Sequence, residues 1–297
     1  MRIVSLVPHA TELLFALGLG DQVVGVTHEC DHPAAARERR HVTRDRLPAG
    51  LSSGEIDAAV RAFTEGGEAI YALDEEALHE LAPDLIVTQA LCPVCAVSYD
   101  DVKTVAEGMD PAPDVVALDP TTYGETLGDV RTIAGATGAK AAGVDLVART
   151  ARRVDAVRVA VKDVERRPRV AAIEWFDPVF VAGHWTPQLI EMAGGVDVLG
   201  FAGEHSEQTT WEMVKAAAPD VVVAMPCGYD AERSREEAER HADALRTVGA
   251  GQVVAVDAAA TFSRPGPRLV DGLETLAHVL HPDRVTEAPG PALVVDV

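Results

Sequence analysis

A chain of 297 residues, 47% of them hydrophobic and 25% charged, has the composition of a folded globular protein and the length for two cores of ordinary size. Its 47 acidic against 26 basic side chains leave a formal charge of −21, a field that repels phosphate backbones and so excludes nucleic acid as a partner. No run approaches the roughly 18–20 consecutive apolar residues of a membrane span, so no membrane insertion is expected.

Strand-like apolar runs alternate with helical patterns from the first residues onward, the order that builds parallel sheets from βαβ units. The first predicted strand, 2–7, begins directly after Met1. No charged region, apolar stretch and small-residue cleavage site precede it, so the expected location is the cytoplasm, or outside it if a leader has been trimmed. A helix over 11–17 and a strand over 22–26 follow, then strands over 84–88 and 114–118 with a helix over 101–107 between them. From 142 to 166, apolar residues at 144, 147, 151, 154, 157, 161 and 164 keep a helical period with no Gly or Pro after Gly143. A single helix of that length reaches about 37 Å, and Arg167-Pro168 stops it because proline disfavours helical geometry in its predecessor. Beyond it come strands over 169–173, 197–200, 220–225 and 252–257, a helical stretch over 230–246, and a tail with Pro289-Gly-Pro291 and no period.

Two internal alignments repeat this plan. Leu78-His-Glu-Leu-Ala-Pro83-Asp84-Leu-Ile-Val87 matches Val214-Lys-Ala-Ala-Ala-Pro219-Asp220-Val-Val-Val223 at an offset of 136. Thr11-Glu-Leu-Leu14 with Gly20 and Val23 to Gly25 matches Thr186-Pro-Gln-Leu189 with Gly195 and Val198 to Gly200 at an offset of 175. The difference marks an insertion in the first half. The expected class is α/β, with two Rossmann-like lobes, each with a parallel sheet, joined by one long helix. The lobes are 1–140, with an insertion at about 41–77, and 168–284; the linking helix is 141–167 and a flexible tail is 285–297.

In open α/β sheets, ligands bind beyond the carboxyl ends of the strands. That rule selects the loops 8–12, 27–33, 89–99, 174–185, 202–210, 226–229 and 258–268, with the ends of two lobes facing one cleft. All four cysteines fall in them: Cys30, Cys92, Cys95 and Cys227, with His28 beside Cys30. Three readings of these thiols stay open. They ligate Zn²⁺ or an iron–sulfur cluster, for which soft thiolates and a C-x-x-C pair are suited; Cys92-Pro-Val-Cys95 is a redox dithiol; or the thiols are incidental small apolar residues. Trp175, Phe176 and Trp185 cluster in one loop, where flat faces can pack on a planar macrocycle, and Arg264 sits where a guanidinium can bind a carboxylate, amide or phosphate. There is no P-loop, no G-x-G-x-x-G after the first strand and no nucleophile elbow, so no catalytic residue is expected.

Four motifs carry a resemblance over roughly 2–281: Arg2-Ile-Val-Ser-Leu-Val-Pro8-His-Ala-Thr11-Glu12, Val24-Gly-Val-Thr-His28-Glu-Cys30-Asp31-His-Pro33, Leu81-Ala-Pro-Asp84-Leu-Ile-Val87 and Phe262-Ser-Arg264-Pro-Gly-Pro-Arg268. In order and spacing they resemble the two-lobed, helical-backbone substrate-binding proteins that serve ABC importers of cobalamin and iron-siderophore complexes, the cobalamin branch most closely. The resemblance implies a monomer that holds a small-molecule ligand, cobalamin or a related corrinoid, in the interlobe cleft, with an ABC importer permease as partner. Pro8, His9, Trp175, Phe176, Trp185 and Arg264 are then the expected ligand-binding residues, His9 being a candidate axial donor to cobalt. The alternative is an intracellular metal- or iron–sulfur-dependent enzyme, or a redox protein, using the cysteines on the same scaffold.

Overall fold

The computed structural model describes residues 1–66, 68–89 and 97–297. It divides into two units: Met1–Pro120 with Thr126–Val147, and Thr121–Glu125 with Ala148–Val297. Among the described residues, no helix is long and apolar enough to cross a membrane.

The first unit contains β1 (Ile3–Ser5), α1 (Pro8–Ala16), β2 (Val23–Val26), β3 (Arg40–His41), β4 (Thr43–Asp45), α2 (Ser53–Glu65), β5 (Tyr71–Leu73), α3 (Glu75–Leu81), β6 (Leu85–Thr88), α4 (Tyr99–Glu107) and β7 (Asp114–Ala117). Its five-stranded sheet has the order β3-β2-β1-β6-β7, and every pair in it is parallel. β1 and β6 are buried along their whole length, as expected for strands covered on both faces. Successive side chains alternate between faces: Ile3 and Val87 enter one apolar cluster with Leu14 and Ile133, whereas Val4 and Ile86 enter another with Leu78 and Val102.

The stretch expected as an insertion at about 41–77 holds an antiparallel ribbon, β4 against β5, with α2 between the two strands. A capping box starts α2: the Ser52 side chain accepts the Glu55 amide, and Glu55 Oε2 accepts the Ser52 amide at 2.8 Å. The division between the units falls within the next two helices, α5 (Tyr123–Ala136) and α6 (Lys140–Ala160). α6 stops six residues short of the expected 166. After it the Lys162 amide reaches the Val159 carbonyl at 3.4 Å, the tighter three-residue spacing of a closing turn.

The second unit continues with β8 (Arg169–Phe176), β9 (Val179–Val181), α7 (Thr186–Met192), β10 (Val196–Asp197), β11 (Glu207–Gln208), α8 (Trp211–Ala216), β12 (Val221–Ala224), α9 (Ala231–Arg240), α10 (Ala242–Val248), β13 (Gln252–Val256), α11 (Ala258–Thr261), α12 (Leu269–Leu280) and β14 (Ala292–Val294). Its sheet runs β11-β9-β8-β12-β13-β14, with β10 also paired to β8. β8, β10, β12 and β13 are parallel, whereas β9 pairs antiparallel with both β8 and β11 and β14 pairs antiparallel with β13, so this sheet is mixed. The segment 285–297, expected as a flexible tail, instead supplies β14, which pairs with β13 from Val254 to Val256. The stretch 230–246 is two helices rather than one, broken at His241, whose ring lies 5.3 Å from that of Phe176.

The internal repeat extends to hydrogen bonds. Asp84 Oδ2 accepts the Arg2 amide at 2.6 Å, and Asp220 Oδ2 accepts the Arg169 amide at 2.8 Å. In both units the arginine Nε then donates to a carbonyl at the preceding helix end, Leu81 or Ala218. The shared Pro-Asp motif therefore registers a helix C-terminus against the start of the neighbouring strand.

Candidate functional site

The first unit offers the loops beyond β1, β2 and β6. Pro8 occupies the first turn of α1, where its missing N–H costs nothing, and His9 behind it is buried. The end of β1 is joined to the end of β2 by a buried polar chain. Thr11 Oγ1 donates to Ser5 Oγ at 2.8 Å, and Cys30 Sγ lies 3.0 Å from Thr11 Oγ1 and 3.1 Å from Thr27 Oγ1. Cys30 is 2% exposed and belongs to the apolar cluster around Leu14 and Val26. It is a packed thiol with hydroxyl neighbours, as a small buried side chain can be. His28 Nδ1 lies 2.7 Å from Thr43 Oγ1 and its ring meets Tyr71 edge-on at 5.0 Å, while Tyr71 donates its hydroxyl to Glu29 at 2.9 Å. His28 thus fastens the β2 turn to the β4–β5 ribbon. Cys92 and Cys95 lie outside the described residues. Among the described residues, no group of three or more His, Cys, Asp or Glu is placed to hold a metal ion.

The second unit gathers three of the expected loops at the carboxyl edge of β8, β12 and β13. The Cys227 amide donates to the Glu174 carbonyl at 3.1 Å, the Gly228 amide to Ser263 Oγ at 3.2 Å, and Trp185 Nε1 to the Phe262 carbonyl at 2.8 Å. These bonds tie 174–185, 226–229 and 258–268 together and place exposed Cys227 and half-buried Arg264 in adjacent loops. Cys30 belongs to the first unit and Cys227 to the second.

Within this edge the aromatic residues divide. Trp175 is half-buried, donates its Nε1 to the Asp177 carbonyl at 3.1 Å and packs edge-on to Tyr229, with ring centroids 5.6 Å apart. The Arg233 guanidinium carbon stands 3.6 Å from the centroid of the same Tyr229 ring, a stacked cation. Phe176, one residue on, points to the other face of β8; it is 2% exposed and packs with Val179, Val214 and Ala238. Phe176 is therefore a core residue and not a ligand contact, because adjacent positions of a strand face opposite sides. Trp185 is also enclosed, at 6% exposure, its indole committed to the Phe262 carbonyl.

Behind this edge, Ser206 Oγ donates to Glu174 Oε2 at 2.6 Å and accepts the Gly183 amide at 3.2 Å. Burial pushes the Glu174 carboxyl up from its ordinary pKa, against the Ser206 hydrogen bond, which lowers it. His184 and His205 meet beside it, His184 Nε2 lying 3.2 Å from His205 Nδ1. Burial first, and His205 second, hold His184 below the ordinary imidazole range. Tyr229, Arg233, Glu174 and His184 were not among the residues singled out from sequence. Tyr229, Glu174, His184 and His205 fall inside the loops chosen by the carboxyl-end rule, and that position was the available signal.

The sequence profile described as periplasmic binding protein matches residues 3–260. The uncharacterized ABC transporter substrate-binding lipoprotein YvrC of Bacillus subtilis (strain 168) is 24% identical over 299 residues, 96% of this chain and 82% of that one. A vitamin B12-binding protein of Vibrio cholerae serotype O1 (strain M66-2) shares 51% identity over 41 residues, 14% of this chain and 15% of its own. The crystal structure of the periplasmic vitamin B12 binding protein BtuF of Vibrio cholerae superposes with a TM-score of 0.66 at 21% identity, over 94% of this chain and 96% of that one. The periplasmic heme-binding protein BhuT, in complex with two hemes, gives 0.69 at 25% identity, over 94% and 97%. With the mixed α/β units, the Pro-Asp repeat and a profile match across most of its length, the chain belongs to the periplasmic binding protein family.

Proposed function

We propose that the protein binds cobalamin or a related corrinoid as the cargo of an ABC importer, and that the ligand docks beside Trp175 on the second unit. The observation that carries this reading is half-buried Trp175 at a strand-end edge, backed edge-on by the buried Tyr229 ring on which Arg233 is stacked. A flat, largely apolar macrocycle gains dispersion and burial against such a face. Its amide side groups need planar donors, which Arg233 and Arg264 carry at or next to this edge. The vitamin B12-binding relatives support the same ligand class.

Titration of cyanocobalamin, followed by tryptophan fluorescence and calorimetry, tests the proposal. Binding is expected in the wild type and is expected to weaken at least about tenfold in Trp175→Ala, consistent with the loss of one buried aromatic contact, with the melting temperature held. Absence of cyanocobalamin binding, or binding indifferent to Trp175, would overturn it. Hemin titrated in parallel addresses the second reading, which the whole-length likeness to a heme-binding protein favours. Uptake of hemin with no uptake of cyanocobalamin would make the ligand a heme.

A further inference from the structure

Two imidazoles of the second unit face each other with a spacing that also suits a shared metal ion. His184 Nε2 and His205 Nδ1 face each other at 3.2 Å, with ring planes 85° apart and centroids separated by 5.1 Å. That spacing is within hydrogen-bond range and also close to the separation of two nitrogens held by one tetrahedral ion. Two imidazole nitrogens at about 2.0–2.1 Å from one zinc ion, at the tetrahedral angle, lie about 3.3–3.4 Å apart. At the right angle of a square-planar ion the same bonds bring them to about 2.8–3.0 Å.

We propose that His184 and His205 form a chelating pair for a divalent transition-metal ion, zinc above all, with water completing a tetrahedral site. The proposal is independent of which ligand the protein carries. His184 is half-buried and His205 exposed, so the remaining coordination positions open to solvent. Binding to the neutral tautomers of the two rings needs no net proton release. The hydrogen bridging the two nitrogens moves to the far nitrogen of the same ring, Nδ1 of His184 or Nε2 of His205, as the metal takes its place.

The backbone around the pair is held in place. His184 adopts a left-handed conformation at φ 52°, rare for a residue other than glycine. Two hydrogen bonds keep it there: its amide donates to the Glu204 carbonyl at 2.6 Å, and its carbonyl accepts the Gly203 amide at 2.9 Å. Gly183 allows the two loops to meet, since a β-carbon there would lie 2.6 Å from the His205 carbonyl carbon and 2.7 Å from its oxygen. Strain of this kind persists where the surrounding structure fixes it, and it collects at ligand sites. Pre-set imidazoles lose little freedom when a metal arrives, and the proposed site uses none of the four cysteines.

Zinc alone, titrated calorimetrically into the full chain with Cys92, Cys95 and Cys227 replaced by serine, tests the pair without competing thiols. One zinc ion per chain is expected, with affinity reduced at least tenfold by His205→Ala and by His184→Asn, a replacement that tolerates the left-handed backbone. Co²⁺ in place of zinc is expected to give the intense visible bands of a tetrahedral ion, lost in both variants, with thermal melts showing that each variant folds. The proposal is overturned if the serine chain takes up no zinc, if uptake is indifferent to both histidines, or if bound cobalt is octahedral.

Discussion

Ala82 and Ala218, 136 residues apart, share the left-handed backbone conformation at φ 41° and 45°, each in the turn between a helix and the strand after it. Each precedes the proline of the Pro-Asp motif, and each is an L-residue where glycine ordinarily ends a helix. The left-handed region costs an alanine about 1–2 kcal/mol, partly offset by the smaller entropy it loses on folding relative to glycine. Ala82→Gly and Ala218→Gly are therefore expected to stabilise the protein by about 0.5–1 kcal/mol each, read as a rise in the denaturation midpoint. A fall of similar size in both would show that the strain is relieved elsewhere.

Glu174 makes stability depend on pH. Its folded pKa is raised from the ordinary 4.5 by burial, so between that value and the raised one the folded state binds more protons than the unfolded state. Its contribution is then fully present below about pH 4.5 and is lost as pH rises through the folded pKa. Glu174→Gln keeps an acceptor for Ser206 and removes the charge. Relative to wild type it is expected to gain stability on going from pH 4 to pH 8; a difference that stays flat over that range would contradict the assignment.

Gly183→Ala tests how closely the two loops of the second unit approach. A new β-carbon meets the backbone of Glu204 and His205, and backbone cannot rotate away as a side chain can. A loss of about 2–3 kcal/mol is expected, at the upper end of overpacking costs, together with loss of the coupling between the His184 and His205 imidazole resonances in NMR spectra. An unperturbed melt would mean that the 200–206 loop yields easily.

Trp185 is a structural residue in this fold, and Trp185→Phe is expected to show it. The change leaves the Phe262 carbonyl without its indole donor at an enclosed position and should cost about 1–2 kcal/mol. Cyanocobalamin affinity should change far less than in Trp175→Ala. A large affinity loss with no change in stability would move Trp185 into the binding surface.

The central strands were legible from sequence because burial on both faces writes a continuous apolar run, as in Leu85–Thr88 and Val221–Ala224. Edge strands carry no such mark. Glu207–Gln208 is a strand because β9 lies beside it, not because its side chains favour one. At the site, the carboxyl-end rule found loops but not orientations: Trp175 and Phe176 are neighbours in sequence on opposite faces, a distinction set by strand register. Spacing likewise placed Cys30 in a loop after a strand, but only the packing of Thr11 and Thr27 around its sulfur shows it enclosed.

β14 has a consequence for how the protein behaves at high concentration. Without it the flank of β13 is bare, and Gln252–Val256, reading Gln-Val-Val-Ala-Val, is the kind of β-prone, uncharged segment that recruits identical copies. With β14 in place the sheet presents three residues at one margin and the two of β11 at the other, both too short to template a second molecule. Proteolysis ahead of Ala292 is therefore expected to favour slow cross-β aggregation, read as a rise in thioflavin fluorescence over that of the uncut chain.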